Sequence, residues 1–408
     1  MIRVCCCIGT WQLVTLAAAL QQISEDLRAK SSGDVESFDD YLVVYETAGV
    51  SDSFKETLHQ MAEAIWPWKK IIWAYDILTS VRHISQQRFD TLRRTLRERV
   101  GVPVNQVDDI WVCWLTRPAE KLVFETYPPA RIQLFEDGLI SYIPVALAQD
   151  REDSGSLKAQ IRERLDKLLP VRRYRRSRWA LDPRHLSRVS SAYLQLTPEA
   201  PAPETLASVP RRFVDYHFLH QALERVRPIL TTSYLADTAD DDSVPDRVLV
   251  LGQALSRNGI LSPGEELAIY KGIIDTLLAK GYRILWKEHP RISEPFFADL
   301  KAHVQKHRPN AEERLRELSL PGAYPVELVA DRLGLAGCVG GTSAALFYLR
   351  RLYEIPCYTF GDVLLPYMRG ADIFMNDMIR QEVPPLADLP SLGSASENTS
   401  FAGDKSAV

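Results

Sequence analysis

The sequence predicts an α/β protein made of two Rossmann-like domains that face each other across a cleft. Three observations carry this. Short apolar runs alternate with amphipathic helical stretches. The alternation stops in a Pro- and charge-rich middle and then restarts. The chain has 408 residues, more than one hydrophobic core usually supports. Strands that read as continuous apolar runs are buried on both faces, which means parallel sheets covered by helices.

The elements follow in order. The first strand is Arg3–Ile8, with a Gly9-Thr10 turn and a helix from about Trp11. A cleaved leader is the competing reading of this apolar start. The helix continues into the polar "QQISEDLRAK" with no cleavage-type loop, which favours strand and helix. "YLVVYE" (41–46), "KIIWAYD" (70–76), "DIWVCWL" (109–115) and "RIQLFEDG" (131–138) read as strands. "SFKETLHQMAEAI" (53–65) and "QRFDTLRRTLRERV" (87–100) are the helices between them. The first domain spans 1–210, including a basic segment at 171–179 and a linker, "LTPEAPAPETLASVP", at 196–210. The second, 211–383, holds the strands "RVLVLGQ" (247–253), "YRILWKEHP" (282–290) and "AGCVGG" (336–341). Its helix 263–281 has Pro at its start and Gly at its end. The tail 384–408 reads as disordered.

Composition narrows the class. Hydrophobic content of 46% and charged content of 25% are those of a soluble globular protein. A net charge of −4 argues against bulk nucleic-acid binding. The 6 Cys show neither a disulfide framework nor metal-ligand spacing, which fits reduced thiols in a cytosolic protein. No apolar run is long enough for a membrane-spanning helix.

The stretch "LFEDGLISY" ends a strand on two carboxylates, Glu136 and Asp137, and turns at Gly138. It is either an ordinary Asp-Gly turn or a general base held at a strand's carboxyl end, where open α/β sheets build their sites. The second domain supplies three more strand-end features: Gly252-Gln253, His289-Pro290 and Gly340-Gly341-Thr342-Ser343. In the last, glycines let a phosphate approach the backbone, and the two hydroxyls and the helix-start N–H groups would bind it. The alternative is a Ser/Thr cap without ligand. His289 is a proton donor or anchor for a departing phosphate, or a solvated loop His before Pro290. "DDD" at 240–242 precedes a strand and reads as solvated rather than metal-binding. His217 and His220 share a helical face with no further ligand in the spacing, so packing is the reading there. Arg172, Arg173, Arg175 and Arg176, near Tyr174 and Trp179, form a basic run that would hold an acidic glycan or touch anionic lipid, unless it is a solvated loop.

Taken in order, "LFEDGLISY", "WKEHPR" and "GGTSAALFYL" resemble the acidic-acidic-Gly, His-Pro and Ser motifs of bacterial sialyltransferases, most of all the polysialyltransferase-type family with its GT-B fold. The likeness covers roughly residues 1–375. It implies inverting, metal-independent transfer of sialic acid, or a related nonulosonic acid, from a CMP-activated donor to a glycan hydroxyl. No cofactor is implied. The setting it implies is bacterial surface polysaccharide or lipooligosaccharide synthesis, in the cytoplasm or peripherally at the inner membrane. Glu136 would be the base and Asp137 its supporting neighbour, or the order reversed. His289 would stabilise the departing CMP phosphate, and Ser343 with Thr342 would bind it. Gly252 and Gln253 would form a donor loop. Glu327 would bind ribose hydroxyls, or serve as a helix N-terminal Glu favoured by the dipole. The competing functions are transfer of another CMP-sugar such as Kdo, and a non-catalytic GT-B glycan- or nucleotide-binding protein.

Overall fold

The computed structural model of the chain describes residues 1–30, 37–45, 51–78, 86–115, 117–143, 183–196, 208–230, 246–289, 295–318 and 323–392, with Ile292 and Leu320. Pro290, the basic run with Arg172, Arg173, Arg175 and Arg176, the acidic loop at 240–242 and most of the proposed linker lie outside the described residues.

Two compact units form. The first holds seven strands: β1 (Ile2–Cys7), β2 (Asp39–Val44), β3 (Lys70–Trp73), β4 (Val107–Val112), β5 (Arg131–Phe135), β6 (Val189–Leu194) and β7 (Arg211–Phe213). All pair in parallel, in the order β3-β2-β1-β4-β5-β6-β7. Its helices are α1 (Thr10–Lys30), α2 (Asp52–Ile65), α3 (Gln86–Val100), α4 (Pro118–Thr126) and α5 (Tyr216–Val226), beside shorter turns. The helix α2 shows why the sequence was readable. Ser51 caps it by accepting the Phe54 N–H, and Phe54, Leu58, Met61 and Ile65 recur at helical spacing and are buried. Val4, Val43, Ile110, Leu122 and Ile132 lie in its core.

The second unit has β8 (Arg247–Leu251), β9 (Arg283–Lys287), β10 (Leu315–Glu317), β11 (Leu335–Gly340) and β12 (Cys357–Thr359), again all parallel, in the order β10-β9-β8-β11-β12. Its helices include α6 (Pro263–Ala279), α7 (Phe297–His307), α8 (Ala345–Tyr353) and α9 (Ala371–Glu382), whose first residues count with the first unit. Ser262 and Glu265 close a capping box ahead of α6, with Pro263 in its first turn. Val248, Ile274, Leu277, Trp286 and Val339 fill the core. The expected α/β class with two Rossmann-like units is therefore present. No described helix is long and apolar enough to cross a membrane.

Two boundaries differ from the sequence expectation. The first unit runs to Thr231 rather than residue 210, and regains Ala323–Leu328 and Arg369–Met375. The cause is β7, which pairs with β6 from Arg211 onward, followed by α5, which packs on α1. A three-residue exposed edge strand beginning Arg-Arg carries no alternating apolar signal. The tail is also ordered as far as residue 392. Leu389 is buried, the Leu392 N–H donates to the Lys280 carbonyl at 2.8 Å, and the Tyr282 hydroxyl donates to the Pro390 carbonyl at 2.8 Å. Residues 393–408 lie outside the described residues.

β6 also escaped the sequence reading, because "VSSAYL" is half polar. Arg188, just before it, supplies the missing constraint. Its guanidinium donates to the carbonyls of Phe124, Tyr127 and Ala130 at 2.7–3.1 Å. It thereby clamps the turn between α4 and β5 against the start of β6. Arg188→Met is expected to lower stability by about 2–3 kcal/mol, since charged donors to several carbonyls are lost together. Urea unfolding measures it; an unchanged midpoint would show that the clamp holds nothing.

Candidate active site

In a doubly wound sheet the crevice for ligand opens at the carboxyl ends of the strands, where strand order reverses. In the first unit that edge carries the acidic pair. Glu136 directly follows β5 and is fully buried. One of its carboxylate oxygens accepts from the Gln195 N–H at 2.6 Å, the Leu196 N–H at 3.1 Å and the Tyr142 hydroxyl. Its carbonyl accepts from the Thr15 hydroxyl at 2.8 Å. Gln195 and Leu196 directly follow β6, so this carboxylate ties the ends of β5 and β6 together. Burial and the adjacent carboxylate push the Tyr142 phenol well above its usual range, so it stays a donor at neutral pH.

Asp137 is different. Its side chain is 22% exposed. It accepts from the Trp114 indole N–H at 2.7 Å and lies 4.0 Å from the Arg117 guanidinium, which itself stacks 4.1 Å over the Trp114 ring. Its N–H donates to the Ser141 hydroxyl, and Gly138 turns the chain with φ of 60°. Behind it, buried Glu120 accepts from the Tyr45 hydroxyl at 2.5 Å. Burial raises the Glu120 carboxyl above its ordinary range, with Arg117 opposing the rise. Of the two carboxylates in the motif, Asp137 reaches solvent and Glu136 does not. The motif is a turn, and it also presents a carboxylate.

The second unit brings five of its expected residues and their loops to one point. Gly252 follows β8, His289 follows β9, and Thr342-Ser343 follows β11; β8 and β11 are the pair at which strand order reverses. A Cβ on Gly252 would lie 3.0 Å from the Lys287 carbonyl and 3.4 Å from the His289 nitrogen, so the β8 and β9 loops touch through a missing side chain. A Cβ on Gly341 would meet the Gln253 carboxamide at 2.5 Å. With the amide oriented to satisfy both ends, the Gln253 oxygen accepts from the Thr342 N–H at 2.9 Å and the Ser343 N–H at 3.3 Å. The side chain of Gln253 therefore sits on the donors that the sequence assigned to a phosphate. The Ser343 hydroxyl accepts from the Ala345 N–H at 3.3 Å, as a helix-start Ser does. His289 is half-buried.

Several supporting residues carry no motif. The Tyr270 hydroxyl accepts from the Gln253 N–H at 2.7 Å. Fully buried Glu266 accepts from the N–H groups of Leu255 and Ser256 at 3.2 and 2.7 Å, which fixes the loop after β8. Glu288, beside His289, accepts from the N–H groups of Phe296 and Phe297 at 2.6 and 3.0 Å and caps α7. Only the (i, i+4) pairing of Glu266 and Tyr270 on α6 was visible in sequence.

Glu327 departs from expectation. It is buried in a three-residue 3₁₀ turn, Val326–Leu328, and not at an α-helix start. Its segment counts with the first unit, not the second. The Thr10 hydroxyl donates to the Ala323 carbonyl and the Tyr324 hydroxyl to Gln60, both at 2.7 Å, and Val326 and Leu328 are buried. His217 meets Gln221, and His220 lies 3.8 Å from Glu224, both along α5. Among the described residues, no three His, Cys, Asp or Glu side chains are grouped as metal ligands. None of the six cysteines is in a disulfide.

The family model for alpha-2,8-polysialyltransferase (POLYST) matches residues 3–361. The chain belongs to the alpha-2,8-polysialyltransferase family. It is a sialyltransferase-like glycosyltransferase, and membership implies a nucleotide-sugar donor and a glycan acceptor. A search of curated proteins found no match. Among solved structures, the chain is similar to an α/β-galactoside α-2,3-sialyltransferase from the luminous marine bacterium Photobacterium phosphoreum, at 14% identity and a TM-score of 0.48, covering 95% of this chain and 99% of that one. It is similar to a UDP-glucose:anthocyanidin 3-O-glucosyltransferase at 11% identity and 0.49, covering 93% and 84%. A UDP-GlcNAc 2-epimerase from Methanocaldococcus jannaschii gives 11% and 0.49, covering 88% and 83%. The acidic pair, His289 and the Thr342-Ser343 turn of this family member all fall within the matched span.

The tie made by Glu136 can be tested without an activity assay. Glu136→Ala strands the buried Gln195 N–H and the Tyr142 phenol, each loss costing about 1–3 kcal/mol, while the Leu196 N–H keeps the Tyr142 hydroxyl as acceptor at 3.0 Å. Glu136→Gln keeps an acceptor oxygen and is expected to cost less than half as much. Urea unfolding of both variants measures this, and equal stability of the wild type and the Ala variant would remove the tie.

Proposed function

We propose that this protein transfers sialic acid, or a related nonulosonic acid, from a CMP-activated donor to a glycan hydroxyl, with inversion and without metal or cofactor. One observation carries the reading. The Gly252-Gln253 loop, His289 and the Thr342-Ser343 turn converge at the strand-order reversal of the second unit, and all belong to the span matched by the family. A donor with a single phosphate needs few charges. Two backbone N–H groups, two hydroxyls and one imidazole suffice to take up the charge that develops on departing CMP. On binding, a phosphate oxygen takes the place of the Gln253 carboxamide oxygen at Thr342 and Ser343, and Gln253 turns to the nucleotide. His289 donates to the leaving phosphate.

In this reading Asp137 is the base. It is the carboxylate of the pair with access to solvent, and an acceptor hydroxyl needs a carboxylate within hydrogen-bond reach. The Trp114 indole fixes its rotamer, and the Arg117 guanidinium lies 4.0 Å away. Glu136 acts through the frame by holding β5 against β6. The hydroxyl proton passes to Asp137 as the oxygen attacks the anomeric carbon, and the bond to the CMP phosphate breaks on the opposite face. The acceptor we infer is an acidic bacterial surface glycan, elongated on the cytoplasmic side of the inner membrane.

Initial rates with CMP-sialic acid test the assignment. Asp137→Asn and His289→Ala are each expected to lower kcat by about 10²–10⁴ with the fold intact. Glu136→Gln is expected to retain more turnover than either, and the wild type to keep its rate in EDTA. A dead Glu136→Gln enzyme beside an active Asp137→Asn enzyme would move the base to Glu136. Loss in EDTA restored by Mg²⁺ would show a metal requirement. Separately, CMP at 100 times its dissociation constant should stabilise the protein by about 2.7 kcal/mol, and UDP should not. Equal thermal shifts with both would sink the CMP donor.

A further inference from the structure

Thr359 is the last residue of β12 and belongs to none of the sequence motifs, yet it reaches the turn proposed to take the donor phosphate. β12 pairs in parallel with β11, with Gly340 opposite Thr359. The two strands therefore end at one level, and the Phe360 N–H donates to the Gly340 carbonyl at 2.9 Å. Thr359 is 1% exposed. Its hydroxyl donates to the Gly341 carbonyl at 3.0 Å and accepts from the Gly361 N–H at 2.9 Å. A hydroxyl has one proton to give. Here it goes to Gly341, because the Gly361 N–H can only donate.

The Gly341 carbonyl is one half of a peptide unit. The other half is the Thr342 N–H, one of the two donors that the Gln253 oxygen covers. The unit is planar, so holding its carbonyl sets the direction of its N–H. A line of dipoles results. It runs from the Gly361 N–H to the Thr359 hydroxyl, on to the Gly341 carbonyl, and through that peptide to the Thr342 N–H. Hydrogen bonds in such a line polarise one another, by about 10–30% per bond. An anionic acceptor at the end of the line gains most, since hydrogen bonds to an ionised group are roughly twice as strong as neutral ones.

Close packing keeps the line in place. A Cβ on Gly361 would lie 1.8 Å from Oδ1 of Asn376, which is fully buried. A Cβ on Gly341 would lie 3.0 Å from the side chains of Phe360 and Leu364. Valine at 359 would fill nearly the same space as threonine and would take away only the hydroxyl that joins the two loops.

We propose that Thr359 is a positioning residue for donor binding: its hydroxyl orients and polarises the Gly341–Thr342 peptide so that the Thr342 N–H meets the donor phosphate. The proposal rests on the reading of this turn as the phosphate site.

The test compares the wild type with Thr359→Val and Thr359→Ser. CMP binding is measured by calorimetry, and binding of cytidine, which lacks the phosphate, by ligand-observed NMR. Thr359→Val is expected to raise the CMP dissociation constant about three- to tenfold, the size of one net hydrogen bond. Cytidine affinity should not change, and Thr359→Ser, which keeps the hydroxyl, should bind CMP as the wild type does. A purely structural role would weaken both ligands alike. Unchanged CMP affinity in Thr359→Val, equal losses for CMP and cytidine, or a Ser variant as weak as the Val variant would each overturn the proposal. If Thr359→Val does not fold, Thr359→Cys takes its place, because a thiol is only a weak donor. A wild type that binds no CMP would refute the proposed donor instead. The line is then decided in the ligand-free protein, where the Thr342 amide proton should move upfield in Thr359→Val. An unmoved resonance would show that Thr359 does not act on that peptide.

Discussion

Every paired strand in both sheets runs the same way, and that one constraint organises the molecule. Parallel strands send all their carboxyl ends to one edge, and each sheet reverses its strand order once, between β1 and β4 and between β8 and β11. At such a reversal the loops diverge, and backbone donors and acceptors are left without strand partners. The protein satisfies them with side chains. Glu136 takes the N–H groups that follow β6, and Gln253 takes those that follow β11. These two side chains do different work. Glu136 is locked by burial and three donors, so it builds the frame. Gln253 is held by amide contacts alone, and in the proposed reaction it gives way to the donor phosphate.

This view also explains why so many carboxylates near the motifs do not face solvent. Glu120, Glu136, Glu266 and Glu288 each accept from hydroxyls or backbone N–H groups and hold a loop or strand end in place. Such donors offset the cost of burying a carboxylate, and Glu120 and Glu288 each receive theirs at one oxygen. Asp137 differs in keeping solvent access while Trp114 and Arg117 restrain it, the arrangement a reacting carboxylate needs.

Much of the fold was legible because both sheets are buried on both faces. A strand such as "RVLVL" is buried along its whole length, and Ser51 and Ser262 each announce the helix that starts after it. The unread parts lack that signal. β7 is a three-residue polar edge, β6 is half polar, and the return of residues 323–328 to the first unit depends on long-range bonds from the Thr10 hydroxyl to Ala323 and from the Tyr324 hydroxyl to Gln60. The placement of the candidate site residues after strands was legible, since each sits in a turn that follows an apolar run. Their division of labour was not. Adjacent carboxylates look alike in sequence, and only the placement of Tyr142, Gln195 and Leu196 shows that Glu136 is enclosed. Glu327 misled for the same reason: an acidic residue near a short helical turn does not reveal which unit will bury it.

In the proposed reaction the donor phosphate binds the backbone at Thr342 and Ser343 in exchange for the Gln253 carboxamide. Amide hydrogen exchange across residues 340–346, with and without saturating CMP, tests it most directly, because exchange reports the opening of individual backbone hydrogen bonds. Slower exchange at Thr342 and Ser343 is expected when CMP is bound, with no comparable slowing when UDP is added at the same concentration. CMP binding that leaves these amides unchanged, while protecting another part of the chain, would contradict it.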